Sequence, residues 1–149
     1  MSELSLHRPH QDAYRWQSVP LLAYKQDGSA PFKEVTRQVL FEDAALACQL
    51  RYFEVAPGGH TTLERHEHVH AVMVLRGSGR CLIGMQVIEL ALHDLVHIPP
   101  LTWHQFRAAD AALGFLCMVN AERDRPQLPS EEALAELRAH PASAEFIRT

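Results

Sequence analysis

The sequence predicts an all-β fold, an antiparallel barrel or sandwich, preceded by an irregular arm and followed by a helix. Three observations carry this. Between residues 32 and 120 short, β-rich segments alternate with turn residues at the spacing of stacked antiparallel strands. No helix-length periodic segment interrupts that stretch, which argues against a βαβ arrangement. After Pro126 and Pro129 the composition changes to strong helix formers.

The first 30 residues are polar and punctuated by Pro9, Pro20, Gly28 and Pro31, so residues 1–31 are expected to form an arm that packs on the domain or on a neighbour. From Phe32 to Phe41, with Val35, Thr36, Val39 and Phe41, the pattern suits a strand. Gln49 to Val55 is a second, closed by a turn at Pro57-Gly58-Gly59. Six more are expected: Glu64 to Leu75, Arg80 to Ile83, Gln86 to Leu90, Asp94 to Ile98, His104 to Ala108 and Leu113 to Asn120. Gly77-Ser78-Gly79, Gly84, Pro99-Pro100 and Ala108 to Ala112 supply the connections.

In the tail, Ser130 is a good N-cap, Glu131 and Glu132 suit the first turn, and Ala133 to Ala139 continue the helix. Leu134 and Leu137 offer one apolar stripe to the barrel wall, and Pro141 ends this helix or starts a short one reaching Ile147. The expected organisation is an arm at 1–31, one barrel domain at 32–122 and a helical tail at 123–149 packed on the barrel.

Composition narrows the function classes. The 149 residues are 47% hydrophobic and 21% charged, a globular balance. A net charge of −4 argues against a nucleic-acid surface, and no apolar run approaches the length of a membrane span. The start lacks the basic and apolar regions of a signal peptide, and Cys48, Cys81 and Cys117 show no CxxC spacing, so reduced thiols in a cytoplasmic protein are expected.

The sharpest signal is histidine. Seven of the ten histidines fall between residues 60 and 104. Within that window the chain reads Gly58-x5-Glu64-x-His66-x3-His70-x6-Gly77, and His104 follows later. On a strand, Glu64, His66, His68 and His70 would share one face. A carboxylate and three imidazoles on an inward face are costly unless something binds them. Carboxylate and imidazole without cysteine suit one divalent transition metal: iron, manganese, nickel, cobalt or zinc.

At these residues the chain resembles the cupins, small double-stranded β-helix (jelly-roll) barrels whose first motif is G-x5-H-x-H-x3-4-E-x6-G and whose second is G-x5-P-x-G-x2-H-x3-N. Gly58, His66 and Gly77 match the first motif, with Glu64 where a histidine is expected and His70 where the glutamate is expected. Pro99 and His104 match the second; His93 and Leu101 stand at its two glycines and Ala108 at its asparagine. The resemblance, over roughly residues 50 to 120, implies a three-histidine, one-glutamate metal site of Glu64, His66, His70 and His104. Reading His66-x-His68 as the paired histidines instead puts Gly59 one residue too far away and Val72 or Met73 at the glutamate position, so His68 is held in reserve.

A metal with such ligands keeps adjacent positions open for substrate, water or dioxygen. Oxygenase-type chemistry on a small organic substrate is the expected activity, with Glu64 as a base. The alternatives are a Lewis-acid isomerase or lyase and a barrel that binds or senses a small molecule without turnover; the resemblance covers all three. Tyr52, Phe106, Phe115 and Met118 are the expected pocket lining. No arginine pair is clearly placed as a clamp; Arg51, Arg76 and Arg107 are the candidates, and His97 could face either way. The expected partners are a small-molecule ligand and a second copy in a homodimer.

Overall fold

The computed structural model describes residues 6–24 and 33–149. Its main element is a curled antiparallel sheet. The long strands are β4 (Lys33–Phe41), β5 (Cys48–His60), β6 (His70–Arg76), β7 (Gly79–Ile83), β8 (Gln86–Leu90), β9 (Leu95–Ile98), β10 (His104–Ala108) and β11 (Leu113–Asn120). Along the sheet they run β8-β7-β10-β5-β11-β6-β9, with β4 also paired to β5. Strand β5 therefore has three partners. It pairs with β11 from Cys48 to Val55, bends where Gly58 takes a φ of 71°, and meets Arg107 of β10 at His60. The predicted turn at Pro57–Gly59 is a bend inside one strand, because a glycine can turn the backbone without ending the ladder.

The arm is more regular than the sequence suggested. Short strands β1 (His10–Gln11) and β2 (Arg15–Trp16) form a hairpin, and β3 (Leu22–Ala23) pairs with β4. The arm docks on the outer face of β5, where Tyr14 stacks on Tyr52 with ring centres 5.7 Å apart and Trp16 lies 5.2 Å from the same ring. The expected first residue of β4, Phe32, lies outside the described residues.

Among the described residues, two clusters of buried side chains divide the core. One fills the barrel with Phe53, Val55, Val72, Phe106, Phe115 and Val119 among others. The second joins Leu63 and Leu82 on the outside of the wall to Leu137, Phe146 and Ile147 of the tail. Helices α1 (Glu131–Arg138) and α2 (Pro141–Phe146) carry that second cluster. The Ser130 side chain accepts the backbone N–H of Ala133, as the cap position requires. Pro141 starts the second helix, where its missing N–H costs nothing. Among the described residues, no helix is long and apolar enough to cross a membrane.

Backbone conformation explains the departures from the glycine pattern of the second motif. His93 and Leu101, which replace its glycines, both adopt positive φ, 70° and 54°. The left-handed turns are kept although the glycines are not, at a cost of about 1–2 kcal/mol each. The Leu101 turn is tied to the candidate site, since its N–H donates to the carbonyl of His66 at 2.7 Å. Gly77 could not be replaced this way: it has φ 69°, and a Cβ there would lie 2.0 Å from the Ala112 carbonyl oxygen.

Candidate metal centre

The strand expected from Glu64 starts only at His70. Between β5 and β6 the chain is held by scattered bonds instead of a ladder. Glu64 and His104 form an isolated bridge, Arg65 and Gln127 another, and the Glu67 N–H donates to Asp124 Oδ2 at 2.8 Å. Strand alternation therefore does not decide where these side chains point. The irregular backbone brings His66 to His70 and to His104 at the start of β10, with one nitrogen from each within 4.8 Å of the others. His68 leaves this group. Its ring stacks on His66 at 3.8 Å, but its Nδ1 is 2.8 Å from Asp124 Oδ1.

The hydrogen bonds settle which nitrogen each ring offers. His66 Nδ1 lies 3.2 Å from the His68 carbonyl and His104 Nδ1 lies 3.0 Å from the Thr102 carbonyl. A carbonyl can only accept, so each Nδ1 carries a proton and Nε2 is the nitrogen each ring would offer to a metal. His70 Nδ1 faces Cys117 Sγ at 3.1 Å, and its Nε2 is buried with no hydrogen-bond partner. Burial, followed by the neighbouring His104 and His66, pushes His70 far below the usual imidazole range, so it stays neutral. Three imidazoles that each bring a ring nitrogen within 4.8 Å of the others are what a divalent transition metal takes, and the orphaned buried nitrogen of His70 is what it would satisfy. The residues fit the group. Glu64, buried at 8% exposure, lines the same cavity, although the tight group is made of the three imidazoles.

An inner cavity of about 40 Å³ lies beside the histidines, walled by Phe53, Val72, Phe106, Phe115 and Cys117. It shares Tyr24, Arg51, Glu64 and His70 with an outer cleft of about 320 Å³. Of the four predicted lining residues, Phe106 and Phe115 are there. Tyr52 and Met118 are not: Tyr52 is on the arm side of β5, and Met118, 47% exposed, is on the outer face of β11. Period two explains both. Arg51 and Phe53 flank Tyr52 on the inward face, and Cys117 shares the face of Phe115 while Met118 opposes it. His97 also faces out, beside Met118.

The arginines differ from expectation too. Arg76 pairs with Glu54 at 2.9 Å, and Arg107 donates to the Phe146 carbonyl, so neither serves the cavity. Arg51 does, together with Arg37, Arg123 and Arg125, which sequence reasoning missed. The thiol of Cys117 is within 3.5 Å of Arg51 Nη2. Burial pushes this thiol up, and the Arg51 guanidinium opposes that.

Comparison with known proteins fits this geometry. A family profile described as "Cupin domain" matches residues 51–119. The chain is 63% identical over 141 residues, 94% of its length and 90% of the relative's, to 1-methylthio-D-xylulose 5-phosphate methylsulfurylase from Rhodospirillum rubrum. Among solved structures, a cupin 2 conserved barrel domain protein from Rhodopseudomonas palustris superposes with a TM-score of 0.92 at 57% identity, covering 96% of this chain and 99% of that one. A cupin-2 domain protein from Rhodospirillum rubrum gives 0.86 at 62% identity, covering 94% and 95%. The chain belongs to the cupin family, and its site is a candidate three-histidine metal centre.

Proposed function

We propose that this protein is a metal-dependent enzyme that removes the methylsulfanyl group from a methylthio-ketose phosphate, the chemistry named for its Rhodospirillum rubrum relative. The observation that carries the reading is the position of Cys117. A thiol stands in the wall of the cavity, in contact with a candidate metal ligand and a buried guanidinium. Transfer of a methylsulfur group needs a sulfur acceptor, and oxygenase-type chemistry, the expectation from the donor set, gives this thiol no part.

The step balances as follows. The Cys117 thiolate attacks the sulfur of the methylthio group, forming a sulfur–sulfur bond. The bond from that sulfur to the sugar carbon breaks, and its electron pair passes into the adjacent ketone as an enolate. A proton delivered to carbon gives the 1-deoxy ketose, and an external thiol reduces the methyl disulfide on Cys117 and is itself oxidised. A divalent ion on His66, His70 and His104 would supply Lewis-acid polarisation of the ketone oxygen. The chain's own groups do the rest. With Nε2 used as a ligand, His70 carries its proton on Nδ1 and aims it at Sγ, which fixes the sulfur's orientation. Glu64 lines the inner cavity with Cys117 and opens onto the outer cleft, so it is the group that takes the thiol proton as Cys117 attacks and delivers it to the enolate carbon. Phe53, Phe106 and Phe115 exclude water from the S-methyl end. We place this chemistry in the cytoplasm, where an external thiol stays reduced, and in a homodimer.

The test is an anaerobic assay of metal-reconstituted protein with 1-methylthio-D-xylulose 5-phosphate and an added thiol. Release of the methylsulfur group without oxygen, lost in Cys117→Ala at unchanged metal content, is the expected result. A strict requirement for oxygen, or full activity in Cys117→Ala, overturns the reading.

A further inference from the structure

We propose that Arg37, Arg51, Arg123 and Arg125 form a subsite for a phosphate monoester, set in the outer cleft beside the three histidines. This deepens the reading above and rests on it, because it assigns the end of the substrate that the metal and Cys117 leave unaccounted for.

The four residues come from three separate stretches of the sequence, which strand pairing brings together. Arg37 is on β4 opposite Phe53, and Arg51 is on β5 opposite Cys117 of β11. Arg123 and Arg125 belong to the segment that leaves β11. All four line the cleft of about 320 Å³ that also exposes His66 and His70. Two carboxylates face them, Glu64 and Asp124. Asp124 is already engaged: it accepts from the Glu67 N–H and meets His68 Nδ1, each at 2.8 Å. These contacts hold its carboxyl down to about 2, as a committed anion.

Arg51 is the telling residue. It is 4% exposed, its Nε has no hydrogen-bond partner, and its contacts are the Cys117 sulfur and the Phe53 ring at 4.8 Å. Arg37 Nε is likewise buried without a partner. Among the described residues, neither guanidinium forms an ion pair with a carboxylate. A buried guanidinium without an anion is among the more expensive things a fold can keep. Here the cost is compounded by convergence: burial and then the charges of Arg51 and Arg37 pull Arg123 below its usual value. Like charges gathered around a cleft are relieved when a multiply charged anion closes them. A phosphate monoester offers three terminal oxygens to planar N–H forks, the geometry guanidinium groups match best. With the phosphate held there, the ketone end reaches the histidines, and the S-methyl end reaches the apolar inner cavity.

The test uses the metal-loaded full chain and inorganic phosphate as probe, titrated calorimetrically at low ionic strength. Arg37→Gln and Arg123→Gln, the latter on an exposed segment and so least able to disturb folding, are expected to weaken phosphate about tenfold or more each, at unchanged metal content. Arg138→Gln, on the outer face of α1, serves as the control and leaves binding unchanged. In turnover, the two variants raise KM for the phosphorylated ketose by a similar factor and leave kcat within about threefold. Phosphate affinity indifferent to both variants, or abolished by His66→Ala alone, puts the anion on the metal and overturns the subsite. The two proposals fail separately. Arginine-dependent phosphate binding without methylsulfur release upholds the subsite against the reaction, and methylsulfur release with KM unmoved by either variant does the reverse.

Discussion

Strand β10 separates two regions that treat buried polar groups in opposite ways. On the tail side, Gln105 is fully buried and its amide is fully used. Its Nε2 donates to the Thr61 and Arg148 carbonyls, each at 2.8 Å, and its Oε1 accepts from the Arg148 N–H at 2.9 Å. One residue earlier, His104 points into the cavity, where the opposite holds. Among the described residues, five buried side-chain atoms lack a hydrogen-bond partner, and four of them belong to residues lining the cavity or cleft: Arg37, Arg51, Thr62 and His70. A wall complete on one face and unsatisfied on the other teaches where structure ends and function begins. Unsatisfied buried groups are uneconomical for a scaffold, and they make sense where a metal and an anion complete them.

The comparison can be broken at several points. The largest effect is expected from removing the cavity-side ligands. His70→Ala or His104→Ala should strip the metal and lower activity by about a thousandfold, since Lewis-acid stabilisation is worth several kcal/mol. Metal analysis beside a steady-state assay checks this. Next comes the finished side: Gln105→Ala should cost about 2–3 kcal/mol in a urea melt, because it orphans the Thr61 and Arg148 groups, while metal content stays the same.

A pH series sharpens the contrast. His70 resists protonation in the fold, whereas in the unfolded chain it titrates near about 6.5. The unfolded state therefore takes up the extra proton as pH falls, and the metal-free protein should lose stability progressively below that value. A His70→Leu variant should show a flatter profile over the same window. Asp124 adds a lower window: its folded value is depressed to about 2, so its contribution is present above the ordinary carboxylate range and is lost as pH falls towards that value. The smallest effect belongs to the turns. His93→Gly relieves a positive φ at an exposed position against the extra entropy of glycine, and should raise Tm by about 1–3 °C with activity unchanged.

The regular half of the molecule was legible in the sequence. Alternation and turn residues place β6 to β11 to within a few residues except at the start of β6, and Ser130 with Pro141 place both helices. His66, His70 and His104 were legible because their spacing survives the departures from the family pattern. What failed has a physical cause in each case. Residues 61–69 are shaped by long-range bridges to His104 and Gln127, so a strand reading put His68 on the ligands' face and kept it in reserve, whereas Asp124 holds it aside. Tyr52 and Met118 belong to the apolar strand segments beside the motif, although parity sets them opposite Phe53 and Phe115. Of the arginine cluster only Arg51 was named from the sequence, since the pairing of β4, β5 and β11 is what brings it beside Arg37 and the segment carrying Arg123 and Arg125.

The most direct test is metal analysis of untagged protein in parallel with His66→Ala, His68→Ala and His70→Ala. The account predicts near-stoichiometric divalent transition metal in the wild type and in His68→Ala, and its loss in the other two variants. Metal retained in His70→Ala, or lost in His68→Ala while His66→Ala keeps it, would contradict the assignment of the site.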